Sequence, residues 1–320
     1  MSSPVISVCI PAYHRTFLKE AVESAATQDI DGLEIVVTDN GPDDIGKWLR
    51  PSNPKVLFRY VKNDENIGMC ANFRKALSLA RGTYVTFLCG DDLLYPGALT
   101  QLVGELESHP DAKLAFSQVS FVGDRQGGTR HRLPAAMTGS YFVRRSLSEA
   151  RNFVHLCTGT FRRETGQAIP IEDLLFFDWV FWLRFGLKGE VRFIDRQLGG
   201  HRYHNDNETR NVVSSTISEY ENLRNAIARF GQEEPTVLTS GALSNLIGKA
   251  QRKLYLRYLY FCYRQSEFSR QSFSDTLHCF EAFKVSNATR LLGYGVPIYA
   301  FCLHSISLVR RSIRSLSCGS

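Results

Sequence analysis

The chain has no C-x-x-C pair. Its eight cysteines, Cys9, Cys70, Cys89, Cys157, Cys262, Cys279, Cys302 and Cys318, fall at spacings that suit neither a zinc site nor a disulfide framework. They read as reduced, mostly buried side chains, and so predict a reducing, cytosolic compartment. No basic residue precedes the apolar run 5–10, which is too short for the core of a signal peptide. The N-x-T sites at Asn207 and Asn287 then carry no glycan. Internal repeats and low-complexity tracts are absent, which excludes solenoids and long linkers. The longest uncharged stretch, the nineteen residues 291–309, only reaches spanning length and is broken by Gly293, Gly295 and Pro297. With 43% apolar and 22% charged residues, the chain is not an obvious multi-span membrane protein.

What is present is an ordinary globular balance. Of 320 residues, 43% are apolar and 22% charged, enough for one large domain or two smaller ones. The net charge of +6 is unevenly spread. Residues 251–320 hold ten Lys/Arg against three Asp/Glu, a net +7, which leaves −1 for residues 1–250. A nearly neutral body carries a basic tail.

The first 120 residues alternate between short apolar runs and helical spacings. Strands are predicted at 5–10, 34–38, 55–61 and 83–89, and helices at 17–27, 67–80 and about 97–107. That alternation predicts right-handed crossovers and a mainly parallel sheet, whose ligands sit beyond the carboxyl ends of the strands. Those ends are 11–15, 39–44 and 90–92, and they carry polar residues. Further on, Pro170, Glu172 and Asp173 predict a helix start, with Gly189 as its stop. A strand is expected at 190–195 and a polar, mobile loop at 199–210. From about 214 the pattern is helical, with breaks near 231–235, 266–272 and 293–297.

Three groups of residues carry chemistry. Asp91 and Asp92 leave a buried strand side by side and repel each other unless a cation or hydrogen-bond donors compensate. A hard divalent ion would do so and would also hold a diphosphate; equally, either acid caps the next turn. Asp39 ends the second strand, where a carboxylate accepts from a ribose hydroxyl or a base N–H, or opens an Asx turn into Asn40-Gly41. Asp178 is the one charge in Leu174-Leu-Phe-Phe-Asp-Trp-Val-Phe-Trp-Leu183. Desolvation there raises its pKa toward that of a general base, unless it pairs with Arg184. A fourth segment, His201-Arg-Tyr-His204, follows the glycines 199–200. Arg202 and His204 would reach a diphosphate from a closing loop, or belong to a polar surface loop.

Five motifs stand in order: Val8-Cys-Ile-Pro-Ala-Tyr13, Ile35-Val-Val-Thr-Asp39, Asn66-Ile-Gly68, Ala80-Arg-Gly82 and Phe87-Leu-Cys-Gly-Asp-Asp-Leu-Leu-Tyr-Pro96. Over about residues 5–210 the chain resembles the family 2 glycosyltransferases. The resemblance implies a GT-A fold, an α/β, mainly parallel sheet flanked by helices, to which this chain adds a C-terminal helical extension. It implies a nucleotide-sugar-binding half at 1–115, an acceptor and catalytic half at 116–212 and a basic helical region at 213–320. It also implies a nucleotide-sugar donor and a divalent metal, Mn or Mg. Carried over, Pro11, Ala12 and Tyr13 would line the base, with Asp39, Asn66, Arg202 and His204 completing the donor site. Asp91 and Asp92 would hold the metal. Phe177-Asp178-Trp179-Val180-Phe181-Trp182-Leu183-Arg184 resembles the E-D-W-x-L-W-L-R helix of the family, which makes Asp178 the base of an inverting displacement.

The chain departs from the family at Cys89, Gly90 and Phe177, where many relatives carry acids. A non-catalytic binding or assembly subunit is the alternative that this reduced acid count keeps open. A sugar-1-phosphate nucleotidyltransferase needs a glycine-rich loop after the first strand, and Pro11-Ala-Tyr-His-Arg15 has no glycine. Arg162 and Arg163 face an anionic substrate or solvent. The acceptor implied is a glycan or a lipid-linked saccharide. For the basic tail three readings stand: an interfacial helix on an anionic membrane face, a helix packed on the body or a second subunit, and a span. The first puts the protein at the cytoplasmic face of the membrane. Nucleic acid is not expected, since the basic residues are spread through apolar helices without a binding motif.

Overall fold

A computed structural model describes residues 4–13 and 16–204, and beyond them 222–223, 225–230 and 245. The expected helical region at 213–320, including 241–266, 291–309 and the basic tail, lies almost wholly outside the described residues. No described helix is long and apolar enough to cross a membrane.

The elements follow in the order β1 (Ile6–Ala12), α1 (Leu18–Ala26), β2 (Leu33–Asp39), β3 (Leu57–Lys62), α2 (Met69–Leu79), β4 (Tyr84–Phe87), β5 (Leu93–Leu94), α3 (Ala98–Ser108), β6 (Ala112–Gly123), β7 (Ala136–Met137), α4 (Gly139–Glu149), a 3-10 turn (Leu156–Thr158), β8 (Thr160–Arg162), α5 (Arg163–Gln167), α6 (Phe177–Lys188) and β9 (Glu190–Tyr203). Nine strands form one sheet in the order β3-β2-β1-β4-β8-β6-β9-β5, with β7 on β9. The pairs β3–β2, β2–β1, β1–β4 and β6–β9 are parallel; the short β8 runs antiparallel between β4 and β6. This is the expected α/β architecture, a mostly parallel sheet flanked by helices.

The central strands are apolar on both faces because helices cover both. Every residue of β2 is buried, and all of β1 except Pro11 nearly so. The buried stripes Leu18, Ala21, Val22 and Ala25 of α1 and Leu99, Leu102, Val103 and Leu106 of α3 share one core with Ile6, Val8, Ile10 and Val37 of the sheet. Gly82 sits where a Cβ would run into the backbone of Ile6 and Ser7, so the Ala80-Arg-Gly82 turn is packed against β1.

Register places the cavity. β1 and β2 end level, with Ala12 opposite Asp39, whereas β4 stops at Phe87 opposite Cys9. The chain thus leaves β4 three residues before β1 ends, and 88–92 cross below the end of β1. Between β1 and β4 the strand order also reverses, which is where open α/β sheets bind ligands.

Two expectations are corrected. The helix foreseen from Pro170 starts at Phe177. The acids meant for its first turn are drawn to guanidinium groups instead: Glu172 lies 2.6 Å from Arg184 and 2.7 Å from Arg229, and Asp173 lies 2.8 Å from Arg74. The strand foreseen at 190–195 runs on to Tyr203, because β6 pairs with it along its length and β5 pairs at Gly199 and Gly200. The two glycines are strand positions under close packing, not hinges: a Cβ on Gly199 would stand 2.8 Å from the Thr158 methyl and 2.9 Å from the Leu93 carbonyl.

Candidate active site

A cavity of about 420 Å³ opens at the carboxyl ends of β1 and β4. Pro11, Ala12 and Tyr13 form one wall, with Asn40, Asn66 and Gly68 beside them. Cys89, Gly90, Asp91 and Asp92 form the floor, and Asn152, His155 and Asp178 stand opposite with His201 and His204. Eight of the ten anticipated site residues line this cavity; Asp39 and Arg202 do not.

The wall that carries Pro11, Ala12 and Tyr13 is held by buried asparagines. Asn72 Nδ2 donates to the Ala12 and Thr38 carbonyls at 3.2 and 3.1 Å, tying the ends of β1 and β2. Asn63 Nδ2 donates to Asn40 Oδ1 at 2.7 Å and to Asn72 Oδ1 at 3.0 Å, and Asn40 Nδ2 donates to the Gly68 carbonyl at 3.2 Å. All three amides are nearly inaccessible to solvent, so their mutual pairing is what makes their burial tolerable. Asp39 lies behind this wall and does not line the cavity. It is fully buried, with Oδ2 accepting from the Tyr60 hydroxyl at 2.6 Å and Oδ1 from the Gly41 N–H at 2.7 Å, the geometry of an Asx turn. Burial and the bond to Asp39 push the Tyr60 hydroxyl up to about 12, so it remains the donor.

The floor is a cluster of acids compensated by β9. Cys89 Sγ and one carboxylate oxygen each of Asp91 and Asp92 lie within 4.8 Å of one another. His204 Nε2 is 2.9 Å from Asp91 Oδ2 and His201 Nδ1 is 3.1 Å from Asp92 Oδ1. The backbone N–H of Arg202 donates to Asp92 Oδ1 at 2.9 Å. Burial, then the Asp92 charge, raise the Asp91 carboxyl. Burial alone would lower the His201 imidazole, but Asp92, by charge and hydrogen bond, with Asp91 and Asp178, holds it above its ordinary range. Two carboxylates this crowded fit a divalent cation, which would offset the repulsion between them. Cys89 is a poor third ligand: burial and then the two acids push its thiol far up, so it keeps its proton. Arg202 turns away from the cavity; its Nε donates to the Asp91 carbonyl at 2.8 Å and its Nη2 to Glu20 at 2.7 Å, with the guanidinium 4.1 Å over the Phe17 ring.

Asp178 sits in the first turn of α6. Burial pushes its carboxyl up to about 6, against the opposing pull of the Trp179 N–H and the Asn152 amide. Asn152 Nδ2 donates to Oδ2 at 2.6 Å. Arg184, the alternative partner, pairs with Glu172. His155 reaches the same cavity with its imidazole held neutral, at about 3, by burial and by the charge of His201 5.1 Å away.

Arg162 and Arg163 are placed away from the site. Arg162 donates to the Ala112 and Leu106 carbonyls and lies over the Tyr84 ring, and Arg163 Nε donates to the Gly82 carbonyl at 2.7 Å. Asn152, His155 and the asparagine network were not anticipated. Only Asn72 had a sequence signal, a polar residue on the apolar stripe of α2.

The family model of Glycosyl transferase family 2 matches residues 7–165. That match places residues 7–165 in glycosyl transferase family 2. An uncharacterized protein of Mycobacterium tuberculosis (strain CDC 1551) is 27% identical over 243 residues, 67% of this chain and 72% of that one. An uncharacterized glycosyltransferase of Methanocaldococcus jannaschii is 29% identical over 131 residues, 39% of this chain and 44% of its own length. Among solved structures, Staphylococcus aureus TarS 1–349 in complex with UDP-GlcNAc superposes with a TM-score of 0.64 at 16% identity, over 87% of this chain and 80% of that one. A mannosyltransferase of Pyrobaculum calidifontis in complex with GDP-Man and Mn²⁺ gives a TM-score of 0.54 at 16% identity, over 100% of this chain and 89% of its own. Both likenesses are of fold. They give this family 2 member the GT-A architecture.

Proposed function

We propose that this glycosyltransferase moves a sugar from a nucleoside diphosphate sugar to a hydroxyl of a glycan or lipid-linked saccharide, with inversion at the anomeric carbon and with a divalent metal, Mn or Mg. The observation that carries the reading is the position of Asp178 across one cavity from Asp91 and Asp92, with its carboxyl pushed up to about 6.

The donor's base lies against Pro11, Ala12 and Tyr13, beside Asn66. The diphosphate then falls over Asp91 and Asp92 within reach of His204, while Arg202 secures the backbone of Asp91 from behind. Asp91 and Asp92 would hold the cation, which when bound would supply charge compensation for the departing nucleoside diphosphate. Asp178 takes the proton of the acceptor hydroxyl as its oxygen bonds to the anomeric carbon and the diphosphate oxygen leaves. A carboxyl with a pKa near 6 is both ionised at neutral pH and basic enough to share that proton. The position before it is Phe177, packed 4.8 Å from the Phe73 ring, so no second carboxylate stands there to form a glycosyl-enzyme. Support for the donor class comes from the fold neighbours, which bind UDP-GlcNAc in one case and GDP-Man with Mn²⁺ in the other.

The test is a thermal-shift and turnover screen of nucleotide sugars with Mn²⁺, with Mg²⁺ and with chelator. One donor should raise the melting temperature and release its nucleoside diphosphate only with metal. No shift and no release from any donor favours the non-catalytic alternative. The basic tail supports a place at the cytoplasmic membrane face: deleting residues 290–320 should move the protein from the membrane pellet to the supernatant, and an unmoved protein refutes it.

A further inference from the structure

We infer that Asn152 is a positioning residue for Asp178: its amide grips the carboxylate by Oδ2 and fixes the rotation at which the acid meets the acceptor hydroxyl. The inference rests on the reading of Asp178 as the base. Neither the family motif nor the sequence pattern assigns Asn152 any role.

Three features of the loop between α4 and β8 carry it. The contact is short, 2.6 Å from Nδ2 to Oδ2. The amide cannot be turned the other way, because its far end is committed: Asn152 Oδ1 accepts from the Val154 N–H at 3.2 Å, which leaves the N–H end for Asp178. The loop is braced to the base's own helix. Trp179, the residue after Asp178, donates its indole N–H to Ser146 Oγ at 2.7 Å, and that hydroxyl donates to the Arg151 carbonyl at 2.7 Å. The chain enters this loop through Ala150 at φ 48, the one non-glycine residue with positive φ among the described residues. An L-residue is held in that region only where its surroundings enforce it, and such residues gather at working sites. The brace thus sets Asn152 and Asp178 against each other as a unit.

Groups that act on Asp178 from the other elements are the His201 imidazole of β9 and, through its own response to the acid, the Cys89 thiol. Substitution at 152 leaves both in place.

The experiment compares Asn152→Asp and Asn152→Ala in the full chain, with Asp178→Asn alongside. Turnover is read as release of UDP from UDP-GlcNAc, and of GDP from GDP-mannose, with Mn²⁺. Asn152→Asp keeps the shape and the acceptor for the Val154 N–H but removes the donor to Asp178. Both Asn152 variants should bind the donor as the parent does and lose about ten- to a hundredfold in kcat, the usual loss for a hydrogen bond to a charged group. The acid limb of kcat should move up by about one pH unit, since a lost donor and, in Asn152→Asp, an added like charge both disfavour the carboxylate. If Asn152 merely holds the loop, Asn152→Asp restores parental kcat and an unmoved acid limb, and the inference fails. An inactive Asp178→Asn beside that result overturns the inference alone. Full turnover in Asp178→Asn, or no release by the parent from either donor, removes the base reading and this inference with it.

Discussion

His204 Nε2 and Asp91 Oδ2 lie 2.9 Å apart although 113 residues separate them in sequence. The contact exists because β9 runs on past the glycines 199–200 and delivers its last residues to the floor of the cavity. His201 meets Asp92 from the same strand. A strand end that supplies two imidazoles to two acids compensates the acid pair and, in the proposed donor pose, stands beside the diphosphate. His204→Ala should therefore weaken donor binding in the presence of Mn²⁺ by about tenfold, as loss of such a supporting group does at metal sites. Titration calorimetry of the donor with and without metal checks this. Unchanged affinity and turnover would remove His204 from the site.

The two acids should behave differently. Asp92 is almost inaccessible and holds the Arg202 N–H and His201. Asp91 is more open and meets His204 at its edge. Asp91→Asn should abolish metal-dependent turnover with a melting temperature close to the parent's. Asp92→Asn should lose activity and also about 1–3 kcal/mol of stability, because the nearly inaccessible Asp92 carboxylate is the acceptor for both the Arg202 N–H and His201. Urea denaturation of both variants, beside turnover restored by Mn²⁺ or Mg²⁺ after chelation, decides the point. Equal stability loss in the two would contradict the division of roles.

Asp178 links activity to pH and stability with opposite signs. Its folded pKa of about 6 stands above the usual 3.8. A base must be ionised, so kcat should fall as pH drops through about 6. For folding the order is reversed. A carboxyl whose pKa is raised by folding contributes most stability below its unfolded pKa, and that contribution is lost as pH rises from 3.8 to about 6. At pH 7 the ionised, enclosed group is therefore a net cost. Asp178→Asn should abolish transfer by about 10²–10⁴-fold while stabilising the fold by roughly 1–3 kcal/mol at pH 7. The stabilisation should vanish near pH 4. A variant less stable than the parent at pH 7 would show that the carboxylate is not strained by burial.

The pattern of the first 120 residues was legible because parallel strands and amphipathic helices impose their periods locally. All of β1 to β4 and α1 to α3 fall within two or three residues of expectation. Asp91, Asp92 and Asp178 were also visible, since a charge at a strand exit or in an aromatic run stands out against apolar neighbours. What was not legible depends on partners far away in sequence. Glu172 has the form of a helix-start acid, and only the arrival of Arg184 and Arg229 diverts it. Gly199 and Gly200 have the form of hinges, and only β5 and β6 on either side make them strand. Asp39 reads as a ligand until Tyr60, 21 residues on, takes its Oδ2. Asn152 sits in a loop without periodicity, and its meaning comes entirely from Asp178, 26 residues away.

The helix that carries Asp178 is seated by a glycine contact, which gives a stability prediction. Gly139 opens α4 where α4 meets the end of α6, and a Cβ there would overlap the Gly186 carbonyl and press on the Gly189 carbonyl at 2.6 Å. Both obstacles are backbone, so neither can rotate aside, and relief requires α4 and α6 to separate. Separation would also draw Ser146 from Trp179 and the following loop from Asp178. Gly104, in the middle of α3, has open space around its missing Cβ. Gly139→Ala should thus cost about 2–4 kcal/mol, as overpacking against rigid neighbours does, and reduce kcat together with stability. Gly104→Ala should stabilise by about 0.5–1 kcal/mol through helix propensity and leave kcat alone. Urea midpoints and turnover of the two variants test the contrast. A tolerated Gly139→Ala would mean that α4 and α6 are not held this closely, and would weaken the case that the α4 loop sets the orientation of Asp178.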